Sequence, residues 1–214
     1  MIGIGVTSYK RGYLLENFIN SIEQFTTLDY HLHVAKDIDN IAKAKNHCLE
    51  ALKDTDHVFL FDDDCYPISA GWDDFILHSH YVTGEHHFLY LNDSHIKLNT
   101  KYCISANYST YRECGGVFMS FTRKALNKVG YFNPNYKKYG FEHAGISNRI
   151  YKAGLNSSPY LSLDSTKLFI KSLDYEQSIG SSLSSDEKNH FIKQNRPIFI
   201  DEITSDKIYY ENTI

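Results

Sequence analysis

Three consecutive carboxylates, Asp62, Asp63 and Asp64, could hold a metal ion. They follow the apolar run 58–61, which is typical of a strand buried on both faces. Two carboxylates about 4 Å apart repel each other by roughly 1 kcal/mol in water and about 4 kcal/mol at an effective dielectric constant of 20, so the cluster favours a bound cation. Side chains alternate along a strand, so Asp62 and Asp64 can share a face, and their hard oxygens suit Mg2+ or Mn2+.

A run of aspartates is also common in solvated turns and at helix N-termini, and the residues alone leave that alternative open. The position of this run favours the metal, because open α/β sheets bind their ligands at the carboxyl ends of the strands. The sequence therefore predicts a metal site in which Asp62 and Asp64 are ligands, while Asp63 turns aside.

The segments around this cluster alternate between strand and helix patterns, as in a Rossmann-like α/β half domain. Strands are predicted over 2–8, 31–36 and 57–61, and helices over 13–24 and 41–52, the second of them capped by Asn40. Further along, the patterns predict helices over 69–81, 123–129 and 142–152, strands over 88–91 and 115–121, a mobile Ser/Gly-rich loop over 178–185 and a late strand over 197–200.

The bulk composition predicts one ordinary globular domain, since 42% of the 214 residues are hydrophobic and 22% are charged. A net charge of -4 gives no strong nucleic-acid-binding signature. No apolar stretch approaches the roughly 20 residues that a membrane span requires. The 4 cysteines are scattered and form no CxxC pair. We therefore expect a protein of the cytoplasm, in a bacterial or phage-infected cell, without disulfides.

Four short motifs occur in a fixed order. They are residues 6–11 (Val-Thr-Ser-Tyr-Lys-Arg), 44–46 (Ala-Lys-Asn), 62–64 and 139–150, which begins Tyr-Gly-Phe-Glu-His. Together they resemble the GT-A nucleotide-sugar glycosyltransferases of the family 2-like group, including the DxD motif and the Trp-Gly-Gly-Glu-Asp pattern of galactosyltransferase-type members. The resemblance covers roughly residues 1–155. It implies a single GT-A domain, an α/β fold with a mostly parallel central sheet flanked by helices.

This resemblance also implies a function: metal-dependent, inverting transfer of a sugar from a UDP-type donor to a hydroxyl acceptor on a glycan, lipid, protein or modified nucleic-acid base. Mn2+ or Mg2+ would activate the diphosphate leaving group. It divides the chain into a donor half (1–110), an acceptor and catalytic half (111–160) and a C-terminal extension (161–214). The implied donor-binding residues are Thr7, Ser8, Tyr9, Arg11, Asp37, Lys45, Asp62, Asp63, Gly115 and Gly116. The implied metal ligands are Asp62 and Asp64, with His190 as a candidate third.

The catalytic base is the point at which the sequence departs from the family. The usual base is the Asp that follows the Glu, and here that position is His143, next to Glu142. An unperturbed histidine has a pKa of about 6.5 and is a competent base at neutral pH. Either residue could be the base, and His143 could instead bind metal or cap its helix.

Two other functions compete with the transferase. A sugar-nucleotide pyrophosphorylase has a related nucleotide-binding half, but its first turn is normally glycine-rich, and residues 7–11 lack glycine. A catalytically silent nucleotide-sugar-binding protein would keep the fold without a base, and His143 keeps that alternative open.

Overall fold

The fold is described from a computed structural model, in which residues 1–84, 86–88, 97–101, 107–174, 176, 179 and 183–212 are described. The helices are α1 (Gly12–Phe25), α2 (Ile41–Ala51), α3 (Trp72–Thr83), α4 (Arg123–Val129), α5 (Glu142–Lys152) and α6 (Ser185–Thr204). The strands are β1 (Ile2–Ser8), β2 (Tyr30–Lys36), β3 (His57–Asp62), β4 (Cys65–Pro67), β5 (His86–Phe88), β6 (Lys97–Lys101), β7 (Tyr108–Tyr111), β8 (Phe118–Thr122), β9 (Leu161–Leu163) and β10 (Ile170–Ser172). In this part of the chain, no helix is both long and apolar enough to cross a membrane.

The central sheet has the strand order β2-β1-β3-β8-β5. Strand β1 runs parallel to β2 and β3, whereas β8 runs antiparallel to both β3 and β5. The predicted α/β class is thus confirmed, although the sheet is mixed rather than mostly parallel. The parallel strands β1, β2 and β3 end at one edge of the sheet, where Thr7 lies opposite Asp62. The acidic cluster therefore lies at the edge at which such sheets bind ligands.

Two smaller sheets accompany the central one. Strand β4, which directly follows the acidic cluster, pairs antiparallel with β10, and Leu173 donates a backbone hydrogen bond of 2.8 Å to the carbonyl of Asp64. Strands β6, β7 and β9 form the other small sheet. The pairing of β4 with β10 brings residues from far along the chain to the acidic cluster.

The central sheet is packed on both faces. On one face α1 contributes Phe18, whose ring centroid is 5.3 Å from that of Phe61, and Trp72 of α3 packs edge-on against Phe61. On the other face α2, α4 and α5 supply small and aliphatic residues around Leu60 and Met119. Burial on both faces explains why the run 58–61 is continuously apolar instead of alternating.

The last part of the chain differs from its prediction. The strand predicted over 197–200 is wrong, because these residues lie inside α6, together with Pro197. The helix begins with a capping box, in which Ser184 and Glu187 bond each other's backbone amides. Its buried Asn195 accepts a hydrogen bond of 2.7 Å from the amide of Lys137. These side-chain contacts outweigh the β propensity of the apolar residues near Pro197.

Some predictions fall on residues that the structure does not describe. The predicted strand 88–91 begins in β5, but residues 89–91 lie outside the described part, as do residues 178 and 180–182 of the predicted loop 178–185. Two strands, β6 and β7, lie between residues 92 and 114, where the patterns predicted no element.

A buried ion pair joins α5 to α6. The Arg149 guanidinium donates a hydrogen bond of 2.7 Å to Glu202, and both side chains are fully buried. Arg149 also donates to the carbonyl of Tyr131 at 2.7 Å, and Asn133 donates to the second oxygen of Glu202 at 3.2 Å. The network fixes the C-terminal helix against the helix that begins with Glu142.

We expect Glu202→Gln to lower the free energy of unfolding by roughly 3–5 kcal/mol, because Arg149 would stay buried without a counter-ion. Urea denaturation measures the change. The neighbouring, exposed Asp201 provides the control, since Asp201→Asn should alter stability by less than about 0.5 kcal/mol. Equal, small effects of the two substitutions would show that the buried pair does not hold the C-terminal helix.

Candidate active site

A cavity of about 600 Å³ opens at the carboxyl ends of β1, β2 and β3. Residues from the ends of β1 and β3, from the loop before β8, from the loop leading into α5 and from α6 line it. Most of the residues that the sequence singled out line this cavity, namely Thr7, Ser8, Tyr9, Arg11, Lys45, Asp62, Asp64, Gly115, Gly116, Glu142 and His143. The cavity is large enough for a small-molecule ligand.

The acidic cluster is held by two neighbours on and after β1. The hydroxyl of Thr7 donates a hydrogen bond of 2.9 Å to Asp62. The guanidinium of Arg11 forms ion pairs with both Asp63 and Asp64, the latter at 2.9 Å. Asp63 lies in the turn after β3, is completely buried and does not line the cavity.

Burial is the main influence on the acidity of these carboxylates. It raises the pKa of Asp62, an effect that Lys45 and Thr7 oppose. Burial also raises the pKa of Asp63 to about 6, against the opposing effects of Ser8 and Arg11. For Asp64, burial and the charge of Asp62 raise the pKa to about 6, although Arg11 opposes them. The protein thus brings more negative charge together than Arg11 alone neutralises.

The residues present fit a divalent metal ion. One oxygen of Asp64 pairs with Arg11, whereas its Oδ1 is buried and has no hydrogen-bond partner in the described structure. With Asp62 this gives two carboxylate ligands, and hard divalent ions commonly complete their coordination with waters and substrate phosphates. Among the described residues, no three His, Cys, Asp or Glu side chains lie close enough to form a complete metal-binding group.

His190, the candidate third ligand, does not join this group. It lies on α6, is exposed, and has its Nε2 3.0 Å from the side-chain amide of Gln194. Its neighbours Lys188 and Ile192 line the cavity, but His190 does not. The structure therefore gives His190 no place beside Asp62 and Asp64.

A second charged group lies at the start of α5. Glu142 is 3% exposed, and its Oε1 lies 3.4 Å from the Nζ of Lys45 and 3.2 Å from the Nδ1 of His143. Its Oε2 is buried and has no hydrogen-bond partner among the described residues. Since Glu142 lines the cavity, this oxygen is the one left to interact with a ligand.

The cations beside Glu142 also hold the loop before β8. Lys45 donates a hydrogen bond of 2.9 Å to the carbonyl of Gly116, and His143 lies 3.0 Å from the carbonyl of Cys114 through its Nε2. A Cβ added at Gly116 would lie 2.9 Å from the His143 ring, which is too close for any side chain. Glycine at this position therefore lets the loop approach the histidine.

The neighbours of His143 determine its charge. Burial alone would lower its pKa, but Glu142 and Cys114 raise it to about 10. For Glu142, burial alone would raise the pKa, but His143 and Lys45 bring it well below its usual range. At neutral pH the pair is a carboxylate and an imidazolium, whose two N–H groups donate to Glu142 and Cys114. This geometry argues against the expectation of a neutral histidine that accepts a proton.

Two predicted donor-binding residues, Asp37 and Lys45, make contacts within the protein. Asp37 is exposed and accepts a hydrogen bond of 3.1 Å from the amide of Lys10, while the residues that follow it, Ile38 and Asp39, line the cavity. Burial alone would lower the pKa of Lys45, but Asp62 and Glu142 raise it. Lys45 is thus a buried cation that supports the carboxylates of the site.

Sequence reasoning missed several residues of the cavity. Asp174 lies beside the acidic cluster, where its charge contributes to the raised pKa of Asp64. The ammonium group of Lys138 lies 5.2 Å from the ring centroid of Tyr9. Lys188 lies 5.5 Å from the ring centroid of Tyr139. No local pattern marks these residues, because only the fold brings them together.

The chain was compared with known proteins. No protein-family model matches it. It is 30% identical over 180 residues to an uncharacterized glycosyltransferase of Acanthamoeba polyphaga mimivirus, a match that covers 78% of this chain and 70% of that protein. Its fold is similar to the catalytic domain of Drosophila beta1,4galactosyltransferase 7 in complex with xylobiose, with a TM-score of 0.54 and 18% identity over 89% of this chain and 78% of that one. It is also similar to GalNAc-T7 with UDP, GalNAc and Mn2+, with a TM-score of 0.60 and 10% identity over 95% of this chain and 50% of that one.

We expect the His143 ring to remain an imidazolium at pH 8, which an NMR titration of ring-labelled protein measures. Because its pKa of about 10 in the folded protein exceeds the ordinary 6.5, the stability from this pair is fully present below pH 6.5 and is lost as the pH rises toward 10. Removing the carboxylate charge by Glu142→Gln should shift the titration to lower pH. A ring that titrates near 6.5 in the unaltered protein would make His143 a proton acceptor again.

Proposed function

This chain belongs to the glycosyltransferases and has their GT-A fold, and on that basis we propose that it transfers a sugar, with inversion, from a UDP-type donor to an acceptor hydroxyl. The proposal rests chiefly on Glu142, a buried carboxylate with one unpartnered oxygen in the same cavity as Asp62 and Asp64. A leaving-group site and a candidate base thus share one cavity. That is the arrangement that a single displacement requires.

The donor nucleotide would lie along the carboxyl ends of the first strands. Strand β1 ends at the cavity, and Tyr9 follows it with the ammonium groups of Lys10 and Lys138 over its ring. These ammonium groups favour an anionic ligand such as a diphosphate. GalNAc-T7, which shares the fold, was solved with UDP, GalNAc and Mn2+.

Asp62 and Asp64 are the residues that would hold Mn2+ or Mg2+. When bound, such an ion acts as a Lewis acid that offsets the negative charge growing on a departing diphosphate. Thr7 orients Asp62 through its 2.9 Å hydrogen bond, and Arg11 orients Asp64. The chain thus supplies two preorganised carboxylates at the edge of the sheet.

Glu142 is the proposed general base. The acceptor oxygen attacks the anomeric carbon, the bond from that carbon to the diphosphate oxygen breaks, and the acceptor proton passes to Glu142 Oε2. One displacement of this kind inverts the configuration at the anomeric carbon. The low pKa of Glu142 keeps it ionised but makes it a weak base, which fits a late transfer, after the attacking oxygen has become acidic.

His143 would be a positioning residue in this scheme. Its imidazolium donates to Glu142 Oε1 and to the Cys114 carbonyl, so it fixes the carboxylate and leaves Oε2 for the acceptor. Lys45 supports the same carboxylate from the core. His143 stands where the family usually has the catalytic Asp, and the proposed base is the residue before it, Glu142.

Release of UDP from a panel of UDP-sugars, with Mn2+ or with a chelator, tests the transferase. We expect turnover with Mn2+ and none with the chelator.

Asp64→Asn should weaken Mn2+-dependent UDP binding by at least about tenfold, measured by calorimetry, because it removes a ligand charge. Asp56→Asn, a change at an exposed residue just before β3, is the control. Turnover that persists in the chelator would contradict metal dependence, and pyrophosphate exchange or tight binding without turnover would favour the two competing functions.

Comparing Glu142→Gln with His143→Gln shows which of the two residues is the base. We expect Glu142→Gln to lower kcat by about 10²- to 10⁴-fold, the usual contribution of a general base, while UDP binding persists. His143→Gln should lower kcat less, since glutamine can still donate to the carboxylate. The reverse order would identify His143 as the base.

A further inference from the structure

Arg11 lies where an added cation would be expected. Its guanidinium forms ion pairs with Asp63 and with Asp64, although Asp64 is one of the proposed metal ligands. The arginine side chain is only 20% exposed, and those of Asp63 and Asp64 are 0% and 8% exposed. The pairs are therefore shielded from solvent, and salt screens them only weakly.

The two oxygens of Asp64 have different surroundings. Oδ2 accepts a hydrogen bond of 2.9 Å from Arg11, whereas Oδ1 is buried and has no hydrogen-bond partner in the part of the chain that is described. A metal ion on Oδ1 would share this single carboxylate with the guanidinium. Two cations on one carboxylate repel each other, and each draws charge from the oxygen that the other uses.

We propose that Arg11 is a built-in counter-ion that weakens metal binding to the free protein, so that the metal binds tightly only together with the nucleotide diphosphate. This inference rests on the proposed function and adds a regulatory role for a residue that the sequence assigned to donor contact. The diphosphate brings the negative charge that compensates for Arg11. Metal and nucleotide then raise each other's affinity by the same factor, as linkage requires.

The position of Arg11 supports this coupling. The carboxylates of Asp62, Asp63, Asp64 and Glu142 outnumber the nearby cations Arg11 and Lys45, but Arg11 pairs with Asp64, one of the two proposed ligands. A diphosphate would supply further anionic oxygens for a divalent ion. The carboxylates alone are thus a poor site for a divalent ion, and the nucleotide completes it.

Two variants test the role of Arg11. Arg11→Gln removes the guanidinium but leaves Asp63 buried without its cation, which can destabilise the fold. The double variant Arg11→Gln, Asp63→Asn removes both charges of that buried pair and keeps the net charge of the protein unchanged. Lys128→Gln is the control, because it removes one positive charge from an exposed residue of α4 that does not line the cavity.

The measurement is Mn2+ binding by electron paramagnetic resonance, with and without UDP, on proteins whose folding is checked by circular dichroism. We expect the double variant to bind Mn2+ without UDP about tenfold or more tightly than the unaltered protein, while UDP improves its Mn2+ affinity less. Lys128→Gln should change Mn2+ binding by less than about threefold.

The inference and the proposed function fail in different ways. If UDP promotes Mn2+ binding to the unaltered protein but the double variant binds Mn2+ equally or more weakly without UDP, then Arg11 only orients Asp64 and the inference is overturned, while the proposed function stands. If the unaltered protein binds no Mn2+ even with UDP, both are overturned.

Discussion

Charge compensation in a buried place is the constraint on which this structure depends. Carboxylates lie at the carboxyl ends of the parallel strands, where burial raises the pKa of Asp62 and Asp64. Each acidic group consequently has a cation within reach: Arg11 for the cluster after β3, and Lys45 with His143 for Glu142. Lys45 interacts electrostatically with both groups, so the two halves of the cavity form one electrostatic unit. A substitution in one half should therefore be felt in the other.

The sequence was most informative where the physical cause is local. The first strand and the helices α1, α2, α4 and α5 lie close to their predicted positions, because hydrophobic spacing and capping residues such as Asn40 act within a few residues. The acidic cluster was likewise placed at the correct edge. The C-terminal helix was missed because its apolar residues near Pro197 have strand propensity, whereas its determinants are a cap and the buried residues Asn195 and Glu202.

What could not be predicted concerns partners that lie far apart in the chain. Arg11 and Asp64 are 53 positions apart, and Lys45 and Glu142 are 97 apart, so no sequence window contains either pair. The same holds for the charge of His143. From its type alone, a histidine is a plausible base at neutral pH, but its contacts with Glu142 and the Cys114 carbonyl make it a donor instead.

The close approach between Gly116 and the His143 ring has an evolutionary consequence. The two positions are 27 residues apart, yet any side chain at 116 would occupy the space that the imidazole fills. The contact involves the Cβ and Cγ atoms of His143, at 3.0 and 2.9 Å, and an aspartate at this position would have both atoms too. Glycine at 116 should therefore be retained during evolution whether histidine or aspartate follows the glutamate.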